Sequence, residues 1–492
     1  MSEPIQGKTF RQIAIDQFNK NRPAVFALRC VIGLFVLAIM APVLAQSGPF
    51  FLWTEKSGSS MPWFTSLFDQ NVFPSGVDLF FNLVLVFLPI TLLLMRFFRA
   101  QKQNIRRSAV ILFFWCFVSM VGPKGVVESG LGQVVFAPQH VLRYSKPKVN
   151  YSKVRAPALL EILAEEKLAQ ANKRLKSATR DLEAAQATLD DPAASERDKA
   201  DAGAEVSAAQ TTVKSRTRAI AEWTEKLEQA RAAQDDPELA YFAVMPPIGY
   251  HHDDNDEERV VNAPTWSGWG SGHFLGTDRN GRDVLARILY GTRVSITIGF
   301  IAVAIYCTIG TILGSLMGYF GGKVDMLGMR LVEIMMCFPV FAFLLICVSV
   351  FETRSIFLVM VIIGMVGWTG VARLIRGQFI AERNLEYVTA ARALAIPTGR
   401  IVFKHVLPNA IFPVFVAATF GVAAAILTES GLAFLGLGDP TVPSWGQILL
   451  QGRETKEWWL IHSPGFAIFF TVTILNILGE GLRDALDPKL RT

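Results

Sequence analysis

Charged residues are scarce in this sequence. Of its 492 residues only 18% are Asp, Glu, Lys or Arg, whereas 51% are hydrophobic and 36 are Phe. A typical soluble domain carries about 25% charged residues, so the composition argues against a soluble enzyme and is typical of a polytopic membrane protein. The net charge of +6 is small, so the distribution of the cations is more informative than their sum.

Cysteine and histidine are also few, and neither type indicates a metal site. The cysteines lie in apolar runs without a Cys-x-x-Cys pair, which argues against a disulfide framework or a thiolate site. The stretch HHDDNDEER, His251 to Arg259, contains several potential metal ligands. Neighbouring histidines on an extended chain do not easily bind one ion, so we interpret this stretch as a polar linker and expect no metal. The cysteines are Cys30, Cys116, Cys307, Cys337 and Cys347.

A phosphate-binding loop of the G-x-x-x-x-G-K-[ST] type is missing as well. That loop cradles the phosphates of ATP with its backbone N–H groups, so this chain cannot bind ATP by that route. The stretch WSGWGSG is rich in glycine but lacks the required spacing and the Lys.

Long apolar runs are abundant, and a membrane span needs about 20 such residues. The sequence predicts eight spans, of which the third is the shortest. Lys and Arg concentrate in short loops on the cytoplasmic side of a membrane. With eight spans, the basic segments at the N-terminus, 96–107, 321–330, 373–405 and the C-terminal tail all fall on that side. Both termini are then cytoplasmic, and 123–293 and 431–463 face outward. The predicted spans are 24–45, 77–95, 107–122, 294–320, 328–351, 355–376, 409–430 and 464–483.

Residues 157–235 have a different composition, rich in Ala, Glu, Lys, Gln and Arg. Two runs of apolar residues repeat every seven positions, which puts one stripe on each of two helices and favours left-handed supercoiling. We predict an antiparallel coiled-coil hairpin with arms of about 50 Å. It is either a self-packed insertion or a docking arm for another envelope protein. The repeats are Leu168, Leu175, Leu182 and Leu189, with Ala171, Ala178 and Ala185 between them, and Val206, Val213, Ile220 and Leu227.

Two further stretches combine charge with apolar spacing. In GTDRNGRDVLARILYGTRVSI, Gly276 to Ile296, a turn precedes an amphipathic helix that we expect to lie along the outer surface and lead into the fourth span. In RLVEIMMCFPVFAF, Arg330 to Phe343, Glu333 is three residues from Arg330, so we expect a structural ion pair. Glu333, Glu429 and Glu480 together allow the alternative of a proton relay.

The segment EYVTAARALAIPTGRIVFKHVLPN, Glu386 to Asn409, is a basic, alanine-rich interruption between spans. Its composition predicts a helix ending at Pro397, then a second helix capped by Thr398 and ended by Pro408. The first helix carries one stripe of small and apolar residues, which suits a lever held in a groove of a cytoplasmic partner. A helix resting on lipid and a DNA-binding helix-turn-helix are the alternatives. The stripe consists of Tyr387, Ala390, Ala391 and Leu394.

Taken together, these motifs resemble the permease subunits of bacterial ABC importers of the dipeptide, oligopeptide and nickel type. The segment from Glu386 to Pro408 is similar to the family's coupling motif. The stretches GTDRNGRDVLARILYGTRVS, RLVEIMMCFP, ESGLAFLGLGDPTVPSWGQIL and GLRDALDPKL match in the same order. The resemblance covers 24–45 and 273–491. Within it, Thr389 stands where the motif has Glu, Ala395 where it usually has Gly, and Glu333 where it usually has Asp.

The resemblance implies an all-α polytopic fold with a type I permease core of six helices, here with two extra transmembrane helices and the periplasmic hairpin. It implies that this chain has no enzymatic activity and that two partner ATPase subunits use ATP and Mg. It also implies two further partners, a second homologous permease and an external solute-binding protein. The implied organisation is a cytoplasmic segment 1–23, a first core span 24–45, an insertion 46–156 with two spans, the hairpin 157–235, a polar linker 236–275, and the remaining core 276–492 with coupling helices at 382–408.

The resemblance also implies site residues, while the substrate-binding residues stay unknown. The coupling interface to the ATPase would comprise Glu386, Tyr387, Ala390, Ala391, Arg392, Leu394, Ala395, Pro397, Gly399, Arg400, Leu407 and Pro408. The structural motif residues would be Gly276, Thr277, Asp278, Gly281, Arg282, Asp283, Arg330, Glu333, Pro339, Glu429, Gly436, Pro443, Trp445 and Gly446. A proton-driven secondary transporter and a membrane-anchored periplasmic scaffold are the competing hypotheses.

Overall fold

Helices make up most of the described chain. The computed structural model describes residues 10–54, 58–69, 72–98, 102–121, 157–190, 196–234, 241–255, 260–265, 272–350 and 355–486. The first half contains α1 (Phe10–Lys20), α2 (Arg22–Leu44), β1 (Phe51–Thr54), β2 (Gly58–Ser60), α3 (Pro62–Ser66), α4 (Gly76–Phe97), α5 (Lys102–Val121), α6 (Pro157–Asp190), α7 (Glu196–Gln234) and β3 (Tyr241–Val244).

All regular elements described in the second half are helices. It contains α8 (Val284–Phe320), α9 (Gly322–Cys337), α10 (Val340–Val350), α11 (Ile356–Glu382), α12 (Glu386–Ala393), α13 (Thr398–Arg400), a π-helical turn (Ile401–Val406), α14 (Leu407–Ala410), α15 (Phe412–Phe434), α16 (Trp445–Thr455) and α17 (Trp458–Leu486).

Fewer helices qualify as membrane spans than the eight predicted. Within the described residues, α2, α4, α8, α11, α15 and α17 are long and apolar enough, and α9 with α10 would add a seventh. The latter two meet at an 80° bend, where Pro339 follows the extended Phe338. A residue before proline disfavours the helical region, which explains the break. The predicted span 107–122 falls on α5, which is not among the six.

The α8–α11 pair is the centre of the bundle. Gly310, Gly314 and Gly318 repeat every four residues along α8 and face α11. A Cβ built on Gly314 would lie 2.5 Å from the carbonyl oxygen of Ala372. Glycine at these positions therefore lets the two backbones approach more closely than any side chain would permit. Helices α2, α15 and α17 pack around this pair and share one large apolar core with it.

The insertion is only partly separate from this bundle. The first two turns of α4 are buried, whereas its side chains from Leu88 onward are mostly exposed. Strand β1 pairs antiparallel with both β2 and β3, in the order β2-β1-β3. The all-α prediction missed this sheet, because its strands have only three or four residues and β3 is nearly 200 residues from β1 in the sequence.

Two long helices, α6 and α7, pack against each other where the hairpin was predicted. Glu165, near the start of α6, pairs with Arg231, near the end of α7, at 2.9 Å, so the arms run antiparallel. The seven-residue repeat faces the seam, except that Leu189 is exposed. Ala178 and Ala185 are buried, and the half-buried seam residues are Leu168, Leu175, Leu182, Val206, Val213, Ile220 and Leu227.

Two predictions on the residues before α8 are wrong. The stretch from Val284 is no surface helix, because it continues into the span and both Arg287 and Arg293 are buried. The polar linker is also packed in its described part. His251 and His252 are buried against Tyr290, and Ile248 bridges to Ala45. The polar composition of this stretch predicted that its side chains are exposed to solvent. In the structure the insertion covers His251 and His252 instead. The described residues contain no cluster of ligands able to hold a metal ion.

Candidate coupling site

The segment 382–408 lies at one end of the α8–α11 pair, which we call the coupling end. Its first helix, α12, is attached to the bundle by Val388 and Ala391, both buried in a cluster with Ile375 and Phe379 of α11. These two residues are three apart, so they share one face of the helix. Helix α12 thus follows α11 directly and has its own hydrophobic contact with it.

The rest of α12 forms an uncovered surface. Tyr387 is 37% exposed, and Leu394 directly after the helix is 75% exposed, the most exposed of all the large apolar side chains described. The predicted stripe is therefore wrong in one residue, because Ala391 faces the bundle. The periodicity of the sequence indicated an apolar face on α12. It did not indicate which part of that face is covered by other helices of the same chain. The exposed residues predicted for the interface are Glu386, Tyr387, Ala390, Arg392, Leu394, Ala395, Pro397, Gly399, Arg400 and Pro408.

Ala395 has a backbone conformation that glycine ordinarily adopts, with φ of +53°. The N–H of Ile396 donates to the carbonyl of Ala391, and the N–H of Ala395 donates to that of Arg392. This pair of bonds is the Schellman motif, in which the residue after the helix cap is left-handed and usually glycine. The bend therefore has the geometry of a glycine-terminated helix although the residue is Ala.

The second half of the segment differs from its prediction. Pro397 rather than Thr398 occupies the cap position before α13, and Thr398 is the first residue of that helix. Pro408 does not end the helical path, which continues through α14 into α15. The π-helical turn precedes Pro408, and the N–H of Leu407 donates to the carbonyl of Val402. The path therefore widens by one residue per turn here and then continues as α-helix.

Polar contacts fix the coupling end to neighbouring helices. Arg376 of α11 makes two hydrogen bonds to Asp325 of α9, one of them at 2.6 Å. Arg383 donates to the carbonyl of Gly318 at 3.0 Å. The guanidinium of Arg392 lies 5.2 Å from the ring centre of Tyr319. Sequence reasoning missed these partners, since Asp325 and Arg376 are 51 residues apart and only the fold brings them together.

Tyr387 bridges α12 to both flanking helical regions. Its hydroxyl donates to Glu382, and Asn409 donates to it at 3.4 Å. Burial raises the pKa of the Tyr387 hydroxyl, and the hydrogen bond to Glu382 acts in the same direction. The hydroxyl therefore stays protonated near neutral pH and keeps its role as a donor.

The motif residues before α8 form a buried turn at the opposite end of the bundle. Asp278 accepts bonds from the N–H groups of Asn280 and Arg282, and its carboxylate pairs with the Arg282 side chain at 2.9 Å. Asp283 caps α8 through the N–H of Ala286 and pairs with His273 at 2.8 Å. Gly276 and Gly281 supply the positive φ angles of the turn, and the backbone of Thr277 accepts a bond from Trp459.

The motif ESGLAFLGLGDPTVPSWGQIL packs near this turn. Trp445 is buried, donates to the carbonyl of Ile288 and lies against Gly291 of α8. Gly446 packs against the backbone of Ser430, and Gly436 adopts a φ of +84°. Pro443 and Glu429 are buried in the same region. These residues hold α15, α16 and α8 together.

The three glutamates of the proposed proton relay lie in different surroundings. Glu333 pairs with Arg330 at 2.7 Å, as the spacing predicted, and both side chains are more than half exposed. Glu429 is buried beside Ser430, whereas Glu480 is exposed. Nothing in this placement links them into one path.

Known proteins match the half of the chain that contains the coupling end. Residues 310–492 match the model of the family described as binding-protein-dependent transport system inner membrane component. The oligopeptide transport system permease protein OppC of Haemophilus influenzae is 42% identical over 245 residues, which are 49% of this chain and 78% of the relative. OppC of Escherichia coli K12 is 40% identical over 259 residues, 51% of this chain and 84% of the relative.

A third relative is the dipeptide transport system permease protein DppC of Alkalihalophilus pseudofirmus, 37% identical over 257 residues, which are 52% of this chain and 82% of that protein. Among solved structures, the inward-facing MetNI methionine ABC transporter has a chain that is 17% identical, with a TM-score of 0.35, covering 41% of this chain and 96% of its own. The chain therefore belongs to the family of binding-protein-dependent inner membrane components, the permease subunits of ABC importers. It is a multi-pass inner membrane protein, and its homologues are not themselves enzymes.

Proposed function

We propose that this chain is the permease subunit of an ATP-driven importer for peptides or related solutes, and that segment 382–408 is its contact with an ATPase subunit. The relatives named as oligopeptide and dipeptide permeases support the solute class. ATP and Mg would be used by the partner subunits, in keeping with the missing phosphate-binding loop.

One observation supports the proposed contact with the ATPase subunit: an exposed apolar surface lies on a segment that is packed against a membrane helix. Leu394 faces away from the bundle and Tyr387 is partly exposed, while Val388 and Ala391 fasten the same segment to α11. A partner that binds the exposed face would therefore displace α11 directly. Because α11 packs closely against α8, the displacement would pass into the bundle, as rigid-body rocking requires.

The proposal includes an arrangement of subunits and a membrane orientation. A second homologous permease would form the pathway with this chain, two ATPase subunits would bind at the coupling end, and an external binding protein would deliver the solute. The coupling end would be cytoplasmic, as would both termini, because it carries Arg376, Arg383, Arg392 and Arg400. Helices α6 and α7 would then lie on the periplasmic side.

The test is purification followed by reconstitution. We expect the tagged chain, isolated in detergent, to carry a second permease and ATPase subunits identifiable by mass spectrometry. In proteoliposomes with the binding protein, peptide uptake should require ATP. Uptake driven by a proton gradient without ATPase subunits would support the secondary transporter instead. Intact uptake with a signalling defect after removal of 157–235 would support the scaffold.

A further inference from the structure

Arg293 connects three helices at the end of the bundle opposite the coupling end. It belongs to α8 and is completely buried. Its Nη1 donates to Asp78 of α4 at 3.0 Å, and its Nε donates to the carbonyl of Ala38 in α2 at 2.7 Å. The guanidinium also lies 5.3 Å from the ring centre of Phe81 and 5.2 Å from that of Tyr290.

The carbonyl of Ala38 is free to accept this bond because of a proline. Pro42 lies inside α2, four residues after Ala38. Proline has no backbone N–H, so the usual helical bond to the carbonyl four residues earlier is missing. A buried carbonyl without a partner is costly, and Arg293 supplies the donor from another helix. The proline of α2 and the guanidinium of α8 therefore complement each other.

Asp78 supplies the negative charge at this junction, and it comes from the insertion. It lies in the first turn of α4 and is 3% exposed. A buried guanidinium without a counter-charge is strongly unfavourable, whereas a paired and fully hydrogen-bonded one is tolerated. The extra helix α4 thus balances a charge that belongs to the permease core, and its buried half is part of that core.

The same helix α8 is joined to the coupling segment at its other end. Gly310, Gly314 and Gly318 hold it against α11, and Arg383 at the end of α11 binds the carbonyl of Gly318. A continuous set of contacts therefore runs from α12 through α11 and α8 to Arg293, α2 and α4. The contacts in it are the apolar cluster that holds α12 on α11, the glycine-mediated packing of α11 on α8, and the hydrogen bonds of Arg293.

We propose that Asp78 is a positioning residue of the transport cycle: it fastens α4 to Arg293, which also binds α2, so that α2, α4 and the α8–α11 pair move as one body. The inference rests on the proposed function, because the movement is driven by the ATPase contact. It assigns to the insertion a part in transmitting that movement, since loss of the Asp78 charge would let α8 move without α4.

The experiment uses the complete importer in proteoliposomes with a binding protein and a peptide solute. In Asp78→Asn we expect the solute imported per ATP hydrolysed to fall severalfold, because a movement of α8 would no longer carry α4 with it. Asp78→Glu keeps the charge and should restore most of this ratio. Asp181→Asn, on the exposed surface of α6, is the matched control and should leave the ratio unchanged.

A second measurement separates positioning from mere folding. Spin labels at Leu88 of α4 and Ile312 of α8, both exposed, report the distance between these helices in a chain whose native cysteines are replaced. In the chain with Asp78 intact, we expect the distance between the labels to be the same with and without ATP. In Asp78→Asn, we expect this distance to change with nucleotide.

Two results would overturn the inference: a nucleotide-dependent distance in the chain with Asp78 intact, or an unchanged ratio in Asp78→Asn. If the unsubstituted importer itself takes up no peptide with ATP, the proposed function fails instead.

Discussion

Leu394 offers the most direct test of the ATPase contact. Its side chain is 75% exposed, so about three quarters of it is available for burial against a partner. Leu394→Ala removes three carbons, each contributing about 0.8 kcal/mol when fully buried, so about 1.8 kcal/mol of binding free energy should be lost. That loss weakens the affinity for the ATPase subunit by roughly 20-fold, since 1.4 kcal/mol corresponds to a factor of ten. Leu394→Asp should weaken it further, because a carboxylate would be desolvated without a partner.

The assay is titration of the detergent-purified permease with the ATPase subunit identified by co-purification. The matched control is Leu189→Ala at the end of α6, an exposed leucine far along the chain from the coupling segment. The thermal stability of both variants should stay close to that of the unsubstituted chain, because neither side chain is buried. If Leu394→Ala and Leu394→Asp bind the ATPase with unchanged affinity, the docking face lies elsewhere and the argument from exposure is refuted.

Three further substitutions or deletions test other parts of the structure. Ala395→Gly should stabilise the chain by about 0.5 kcal/mol, because relief of the left-handed conformation outweighs glycine's entropy cost; an unchanged or lower Tm would contradict this. Gly314→Val should destabilise the bundle by about 1–3 kcal/mol, because the added side chain overpacks against α11. Gly370→Ala is the control and should not destabilise it, since nothing lies near that position. Denaturation in detergent compares the stabilities of the two variants. Deletion of 157–235 should leave ATP-dependent uptake intact if α6 and α7 are a self-packed insertion; loss of uptake or of a co-purifying protein would favour a docking arm.

The parts of the fold set by local pattern were predictable from sequence. Hydropathy located the six helices that qualify as spans, and the seven-residue repeat located α6 and α7 with most of their seam. The spacing of Arg330 and Glu333 also predicted their ion pair, which the structure confirms. Each of these features depends on residues close together in the chain, where helix periodicity alone decides which side chains are neighbours.

The remaining features depend on which residues from distant parts of the chain cover a helix face, and sequence periodicity does not predict that. Ala391 belongs to the same stripe as Leu394, but Ile375 and Phe379 of another helix cover only the former. Arg293 resembled a charge at the edge of a span, yet Asp78, 215 residues earlier, allows its burial. Ala395 was the informative exception. It stands where the family motif usually has glycine, and the structure shows the glycine-like conformation retained at Ala395 itself.

Helix α4 and the pair α6–α7 have different physical relations to the permease, and experiments on them should be separate. Helix α4 contributes Asp78 to a buried junction and covers α2 with Val77 and Phe81, so its removal would expose apolar surface and leave Arg293 without its counter-charge. Helices α6 and α7 cover each other along their own seam, so their removal exposes little of the bundle. A deletion of 46–235 as a whole would therefore abolish folding whatever the hairpin does. Only the shorter deletion of 157–235 can reveal a function of the hairpin.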